Sequence, residues 1–251
     1  MAEKYKRHIH LKSVTNLRDI GGYKARNGKT IVWRRIFRSG EFVRLTGEDL
    51  QIIKEEIKPA SLLDLRSPPE VERQGIGLIS EADIRYHSIP FVAGTSRAED
   101  EKFFRECTNM GDFYLHIVRH RSFGSQIVAA LDIIAKTENH PLVFHCAVGK
   151  DRTGILSAML MSILGVADKD IMEDYSLSGP YMEELLKNVS NDPGLAEAAK
   201  ALPSYFWKAS PESMELFLTT LRRDYGSIEV YLKDMGMEKT LPERLKETLL
   251  T

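Results

Sequence analysis

Two rhythms of apolar and polar positions run along this chain of 251 residues. Short apolar runs bounded by turn residues are typical of strands, whereas apolar residues spaced three or four positions apart are typical of helices. The short runs predict strands at 30–39, 61–65, 84–89 and 141–145. The helical spacing predicts a helix that starts at the capping sequence 46–49 and ends before Pro59, another that starts at 68, and three more at 99–107, 112–119 and 126–136.

Beyond Gly165 the pattern is helical throughout. Ser, Asp, Gly and Pro residues divide this part into predicted helices at 168–175, 180–188, 195–201, 211–223, 228–235 and 242–250. Strands that alternate with helices in the first two-thirds of the chain favour parallel pairing. We therefore predict an α/β fold, with a mostly parallel central sheet flanked by helices and a helical C-terminal part.

Composition excludes several classes of function. The formal net charge of −1 argues against a protein that binds nucleic acid or a membrane surface. The two cysteines, Cys107 and Cys146, are too few for a disulfide framework or a Cys-rich zinc site. No signal-peptide pattern or apolar span occurs. We expect a cytoplasmic protein without metal, cofactor, nucleic-acid partner or stable membrane insertion, and its oligomeric state is left open.

The strongest chemical signal is the run at 145–154, which lies between an apolar strand and an apolar helix. Backbone N–H groups in such a loop bind an anion, and the helix N-terminus adds positive potential that favours a thiolate. Cys146 is therefore a candidate nucleophile, and Arg152 offers a planar fork of donors for two phosphoryl oxygens. The residues indicate a cysteine-dependent phosphatase. The alternative interpretation is a buried structural cysteine.

This run is similar to the phosphate loop of protein tyrosine phosphatases. The Lys150–Asp151 pair before Arg152 resembles the atypical, mostly bacterial and fungal branch of that family. Other stretches that match this branch lie at 16–23, 37–39, 63–71 and 225–232. The resemblance implies a tyrosine-phosphatase-like fold and activity on phosphotyrosine, and in several members also on phosphoserine, phosphothreonine or phosphoinositides. A phosphorylated protein or a phosphoinositide is accordingly the expected partner.

The resemblance also implies roles for the residues of the loop. Cys146 would attack phosphorus, and Arg152 and the loop amides would hold the equatorial oxygens. His145 would order the loop, and Thr153 would donate a hydrogen bond to the thiolate or cap the helix. The expected phosphate-binding residues are Ala147, Val148, Gly149, Lys150, Asp151 and Arg152.

The leaving oxygen needs a proton, and common tyrosine phosphatases supply it from an aspartate on a separate mobile loop. The corresponding segment at 89–96 contains no carboxylate. Asp151 is therefore the expected general acid, with Asp100 and Asp112 as alternatives, although Asp151 could instead balance the charge of Lys150. Lys150 is expected at the rim of the pocket, either facing a second substrate phosphate or simply solvated.

A further set of charged residues is expected to brace the edge of the sheet: Arg18, Asp19, Arg38, Asp64 and Arg66. We predict a single phosphatase domain over 1–251, in which an α/β core at 16–166 carries the phosphate loop at 145–153. The helical extension at 167–251 could form a lid with hinges at 179–180 and 191–194. Its aromatic residues are expected to serve packing.

Three other functions compete with an active phosphatase. A phospho-binding module without catalysis would not need the intact pair of Cys146 and Arg152. A different thiolate enzyme is a second alternative, either a sulfurtransferase or an arsenate reductase, which would need Cys107 as the resolving cysteine. Nothing in the sequence favours the third, a cytosolic scaffold.

Overall fold

A single sheet lies at the centre of the computed structural model, which describes residues 5–92, 97–192 and 194–251, apart from the side chains of 97–101 and 198. Its strands are β1 (Arg18–Asp19), β2 (Ile36–Ser39), β3 (Ser61–Asp64), β4 (Arg85–Ser88) and β5 (Leu142–His145). The strand order is β1-β2-β5-β3-β4, and only the pairing of β1 with β2 is antiparallel. The predicted α/β fold with a mostly parallel sheet is thereby confirmed.

Helices surround the sheet and make up nearly all of the C-terminal part. They are α1 (Gly47–Ile52), α2 (Pro68–Gln74), α3 (Arg97–Glu106), α4 (Met110–Val118), α5 (Arg121–Ile134), α6 (Asp151–Ile163), α7 (Asp168–Ser176), α8 (Gly179–Asn191), α9 (Ala196–Ala201), α10 (Pro211–Tyr225), α11 (Ile228–Asp234) and α12 (Leu241–Leu249). A π-helical turn at Ile53–Ile57 continues α1, and short 3₁₀ segments lie at Gly77–Glu81, Thr137–Asn139 and Ser204–Trp207. None of the helices among the described residues has the length and apolar character needed to cross a bilayer.

Side chains of the inner strands alternate between the two faces of the sheet, and the core is therefore divided into two apolar clusters. In β5, Leu142 and Phe144 face the larger apolar cluster, whereas Val143 faces the smaller one. Leu63 and Leu62 of β3 divide in the same way, because successive side chains of a strand point to opposite faces. The larger cluster includes residues of both the predicted core at 16–166 and the predicted extension at 167–251. The single-domain organisation stays a prediction.

The predicted strand at 30–39 is only partly correct, because regular pairing is limited to β2. Arg34 interrupts it with a left-handed φ of +64°. The Asp19 carboxylate stabilises this turn by accepting hydrogen bonds from the backbone N–H of Arg34 at 2.7 Å and of Gly21 at 2.7 Å. Strand β1 was not predicted, since two residues are too few to show a period.

Buried charge ties β1 and β2 to the helical part of the chain. Asp174 of α7 accepts hydrogen bonds from Arg18 Nε at 3.1 Å and from Arg38 Nη1 at 2.5 Å. All three side chains are almost completely inaccessible to solvent. Burial alone would raise the pKa of Asp174, but the two guanidinium groups hold it well below its ordinary value. The carboxylate is therefore charged throughout the physiological range.

We predict that Asp174→Asn lowers the free energy of unfolding by about 3–5 kcal/mol, because two buried guanidinium groups lose their counter-charge. Denaturation in urea measures this difference. Asp168→Asn is the matched control on the same helix, since its bond to Arg222 Nη2 at 2.8 Å is partly exposed, and it should cost ~1 kcal/mol or less. Equal losses in the two variants would contradict a special role for the buried site.

The stabilisation by Asp174 also has a defined pH dependence. Its folded pKa is depressed, so the stabilisation is complete above the ordinary carboxyl value of 3.8 and is lost as the pH falls below it. The difference in unfolding free energy between wild type and Asp174→Asn should therefore stay constant from neutral pH to about pH 5 and shrink at lower pH. A difference that is already smaller at pH 6 would contradict this assignment.

Candidate active site

The candidate site lies where three parallel strands end side by side. Ser39 of β2, His145 of β5 and Asp64 of β3 occupy one row across the sheet. Cys146 follows β5 directly and is buried, with 3% of its surface exposed. The phosphate loop at 145–153 includes the turn between β5 and α6. In sheets of this kind, ligands bind beyond the carboxyl ends of the strands, and the central strand leads into this loop.

Neighbouring parts of the chain fix the conformation of the phosphate loop. Gly149 has a φ of +72°, and a Cβ at this position would lie 2.5 Å from the carbonyl carbon of Ser39, so only glycine fits. Asn16 Nδ2 donates to the carbonyls of Val148 at 3.1 Å and Gly149 at 3.0 Å, and Arg38 Nη2 donates to Gly149 at 2.8 Å. These bonds fix the carbonyls of Val148 and Gly149 on the side of the loop that faces Asn16 and Arg38.

Thr153 contacts the candidate nucleophile. Its hydroxyl donates to Cys146 Sγ at 3.1 Å, and the side chain is fully buried in the first turn of α6. A hydroxyl hydrogen bond stabilises a thiolate more than a thiol. The structure thus brings together the pair that the sequence analysis linked, and their catalytic roles stay a prediction.

His145 is buried beneath the loop and uncharged. Burial lowers its pKa to about 4, although Asp64 opposes this effect. Its Nε2 lies 3.6 Å from Asp64 Oδ2, and its ring packs edge-on against Phe42 with the centroids 5.3 Å apart. Its Nδ1 lies 3.4 Å from the Cys146 carbonyl oxygen, and the expected supporting role stays a prediction.

Arg152 is held in place by a carboxylate that the sequence analysis did not assign. Its Nη1 and Nη2 donate to the two carboxylate oxygens of Glu70 at 2.7 and 2.8 Å. Glu70 lies in the first turn of α2 and also accepts from the backbone N–H of Ser67 at 2.8 Å. Burial acts against ionisation of Glu70, but the bonds from Arg152 and Ser67 lower its pKa to about 2. The capping sequence at 67–70 predicts the local bond and gives no sign of the long-range one.

Asp151 is the first residue of α6 and is partly exposed, with 28% of its side chain accessible. Its Oδ1 accepts a hydrogen bond from the hydroxyl of Tyr114 at 2.5 Å. The hydroxyls of Tyr114 and Tyr175 lie 2.7 Å apart. Both tyrosines occur at apolar positions of helices, so their sequence pattern indicates packing and not this contact.

Lys150 differs from its expected position at the rim. Its side chain is completely buried, and its ammonium contacts the backbone carbonyls of Phe206 and Lys208. The ammonium also lies 4.9 Å from the centre of the Phe206 ring and 3.4 Å from Asp151 Oδ1. These contacts compensate the cost of burying the charge, and the lysine anchors the segment at 204–208 to the phosphate loop.

Of the two alternatives for the general acid, only Asp112 has a described side chain. Residues 93–96 and the side chain of Asp100 lie outside the described residues. Asp112 Oδ2 accepts hydrogen bonds from the backbone N–H of Thr108 at 3.0 Å and from its hydroxyl at 2.8 Å. Asp112 therefore stabilises the start of α4.

The remaining cysteine does not resemble a reactive thiol. Burial and the neighbouring Asp112 and Glu106 carboxylates raise the pKa of Cys107 to about 11, so the thiol stays protonated at neutral pH. Both cysteines are free. Among the described residues, no three or more His, Cys, Asp or Glu side chains are grouped as metal ligands.

A cleft of about 310 Å³ adjoins the phosphate loop. Ala147 and Val148 line one side, and Tyr181 and Leu185 of α8 line the other. Of the expected hinges, Gly179 begins α8, whereas Pro193 lies outside the described residues. The aromatic residues of this part pack together, with Trp207 and Met182 in one apolar cluster.

Comparison with known proteins identifies relatives of this chain. A family model described as the tyrosine phosphatase family matches residues 9–251. The tyrosine-protein phosphatase of Nostoc commune is 26% identical over 193 residues, which cover 74% of this chain and 65% of that protein. The triple specificity protein phosphatase PtpB of Mycobacterium tuberculosis is 26% identical over 252 residues, which cover 86% of this chain and 91% of PtpB.

Among solved structures, the core catalytic domain of the PP-IP phosphatase SIW14 from S. cerevisiae matches with a TM-score of 0.38 and 18% identity, over 57% of this chain and 70% of that chain. The family match, in contrast, extends over nearly the entire chain and includes the phosphate loop, Glu70 and Asp174. The family and the phosphatase class expected from the sequence are thereby confirmed: the chain belongs to the tyrosine phosphatase family.

Proposed function

We propose that this protein hydrolyses phosphate monoesters through a phosphocysteine intermediate on Cys146, with phosphotyrosine as the principal substrate. The placement of Cys146 supports this most strongly. It lies at the end of the central strand, with the Thr153 hydroxyl 3.1 Å from its sulfur. A thiolate that needs protection from oxidation also supports a reducing, cytoplasmic location.

In the first step, the Cys146 thiolate attacks phosphorus in line, so that an S–P bond forms as the bond from phosphorus to the leaving oxygen breaks. The loop amides and Arg152 hold the equatorial oxygens, where the negative charge resides. Glu70 uses two of the five guanidinium N–H donors of Arg152 and leaves the others for the phosphoryl group. Asp151 gives its proton to the leaving oxygen.

In the second step, water attacks the phosphocysteine. Asp151, now ionised, takes a proton from this water as the O–P bond forms and the S–P bond breaks. The electron pair returns to Cys146, and the Thr153 hydroxyl stabilises the thiolate that leaves. Inorganic phosphate is released with the enzyme restored.

The position of Lys150 bears on the range of substrates. The expected contact of Lys150 with a second phosphate has no support from its position, because the ammonium is turned onto backbone carbonyls. Breadth beyond phosphotyrosine is instead suggested by PtpB, a relative named for triple specificity. An arsenate reductase is less well supported, since Cys107 has a raised pKa and so is a poor resolving thiol.

Cys146→Ser should abolish turnover of a phosphotyrosine peptide while binding of tungstate, a phosphate analogue, persists in calorimetry. Serine occupies the same space but its hydroxyl is not ionised at neutral pH. Cys107→Ser is the matched control and should keep wild-type turnover. Substantial activity in Cys146→Ser would overturn the covalent mechanism.

Asp151→Asn should slow alkyl phosphates more than aryl phosphates with good leaving groups, by an additional factor of about 100, because a stable leaving anion needs no proton. The measurement is kcat for phosphoserine peptide and for p-nitrophenyl phosphate in each variant. Asp112→Asn is the control and should lower both rates equally or not at all. A leaving-group effect in Asp112→Asn and none in Asp151→Asn would show that the acid is wrongly assigned.

Lys150→Ala should leave the ratio of phosphoinositide to phosphotyrosine turnover unchanged and should lower the melting temperature, because its ammonium stabilises the 204–208 segment. Both rates are measured at low and high salt, since a substrate-facing cation is screened over about 8 Å at physiological ionic strength. Lys208→Ala controls for the loss of a nearby lysine. A ratio that falls selectively in Lys150→Ala would restore the rim position for this residue.

A further inference from the structure

A buried tyrosine contacts the Asp151 carboxylate. Tyr114 of α4 is completely inaccessible to solvent, yet its hydroxyl reaches Asp151 Oδ1 at 2.5 Å. A second buried tyrosine, Tyr175 of α7, lies behind it with a hydroxyl separation of 2.7 Å. Three polar groups thus form a chain from the interior to the mouth of the phosphate loop.

The donors in this chain follow from the ionisation of its members. Burial and the charge of Asp151 raise the pKa of Tyr114 and of Tyr175 far above neutrality, so both phenols keep their protons. An ionised carboxylate only accepts hydrogen bonds. Tyr114 therefore donates to Asp151, and Tyr175 donates to Tyr114. Each phenol in the chain is satisfied, as buried polar groups require.

The rings that carry these hydroxyls have little freedom. Tyr114 packs edge-on against Tyr175 and against Phe217 of α10, with centroids 6.1 and 5.9 Å apart. Gly154 gives Tyr175 its space, because a Cβ there would lie 3.1 Å from the ring. The hydroxyl of Tyr114 is therefore a fixed point, whereas 28% of the Asp151 side chain is exposed.

The contacts of Asp151 with described residues fall on one oxygen. Tyr114 and the Lys150 ammonium both approach Oδ1, at 2.5 and 3.4 Å. The proton of a carboxylic acid resides on one oxygen at a time, and these two donors disfavour it on Oδ1. When Asp151 acts as the general acid, Oδ2 is then the oxygen that carries the proton, and Oδ1 still accepts from Tyr114.

We propose that Tyr114 is a positioning residue for proton transfer: its hydrogen bond fixes Oδ1, so that Asp151 presents a protonated Oδ2 to the leaving oxygen. This inference rests on the proposed role of Asp151 as the general acid. Without the bond, Oδ1 keeps only its 3.4 Å contact with the Lys150 ammonium, and the carboxylate is free to turn away from the substrate. Misplacement of a catalytic group lowers kcat without weakening substrate binding.

The test compares Tyr114→Phe with Tyr231→Phe. Tyr231 is an equally buried tyrosine whose hydroxyl donates to the Val118 carbonyl at 2.8 Å, and it has no contact with Asp151. In Tyr114→Phe, kcat for phosphoserine peptide should fall about 10-fold more than kcat for p-nitrophenyl phosphate, and KM should change little. This factor is smaller than the one expected for loss of the general acid itself, because Asp151 is still present. In Tyr231→Phe the two rates should keep their ratio, whatever the loss of stability.

The Asp151→Asn variant separates this inference from the function on which it rests. If Asp151→Asn is selective for the leaving group and Tyr114→Phe lowers both rates equally, the positioning role is wrong and the general acid stands. If Asp151→Asn is not selective, both assignments fall. The inference is supported if Tyr114→Phe lowers kcat for phosphoserine peptide selectively in the wild-type background. Adding Tyr114→Phe to Asp151→Asn should then produce no further selectivity.

Tyr175→Phe provides a second variant should Tyr114→Phe not fold. It removes the donor that orients the Tyr114 hydroxyl and leaves the bond to Asp151 in place. We expect the same preference for good leaving groups, with a smaller factor than in Tyr114→Phe. A folded Tyr175→Phe protein with an unchanged ratio of the two rates would overturn the relay.

Discussion

The candidate site depends on the buried ion pairs that Asp174 forms with Arg18 and Arg38. The charge of Asp174 is stable in the interior only because Arg18 and Arg38 contact it directly. Arg38 then uses its other terminal nitrogen to hold the Gly149 carbonyl of the phosphate loop. The shape of the phosphate loop thus relies on a charge from the helical part of the chain, so the two predicted parts of the chain have to fold together for the loop to take this shape.

The same logic applies to the ionisable groups of the loop. Arg152 is paired with Glu70, Asp151 accepts from Tyr114, and the Lys150 ammonium lies against backbone carbonyls. Each group is therefore oriented before a substrate arrives. Fixed donors that need no reorganisation are what stabilise the charge that moves during phosphoryl transfer. The arrangement favours a site that is ready in advance over one that assembles around its ligand.

Local patterns of apolar and polar residues predicted much of the architecture. The predicted strands at 61–65, 84–89 and 141–145 and the helices after 165 agree with the structure, because apolar runs and breaks at Ser, Asp, Gly and Pro mark them in the sequence. The strand at 30–39 was too long, since a single left-handed residue, Arg34, ends the regular pairing. The local sequence does not reveal the contacts of Glu70, Asp174 and Tyr114, because each of these residues lies far along the chain from the group that it contacts.

By itself, the sequence determined the α/β class, the family and the positions of Cys146, Thr153 and Arg152 around one tight loop. These features depend on residues close together in the chain, whose spacing is set by the geometry of a strand, a turn and a helix. Only the tertiary structure decided the placement of Lys150 and the hydrogen bond that orients Asp151. Both depend on which carbonyl or hydroxyl a folded neighbour brings within 3–4 Å, and the energy of a buried charge depends on that neighbour and not on local sequence.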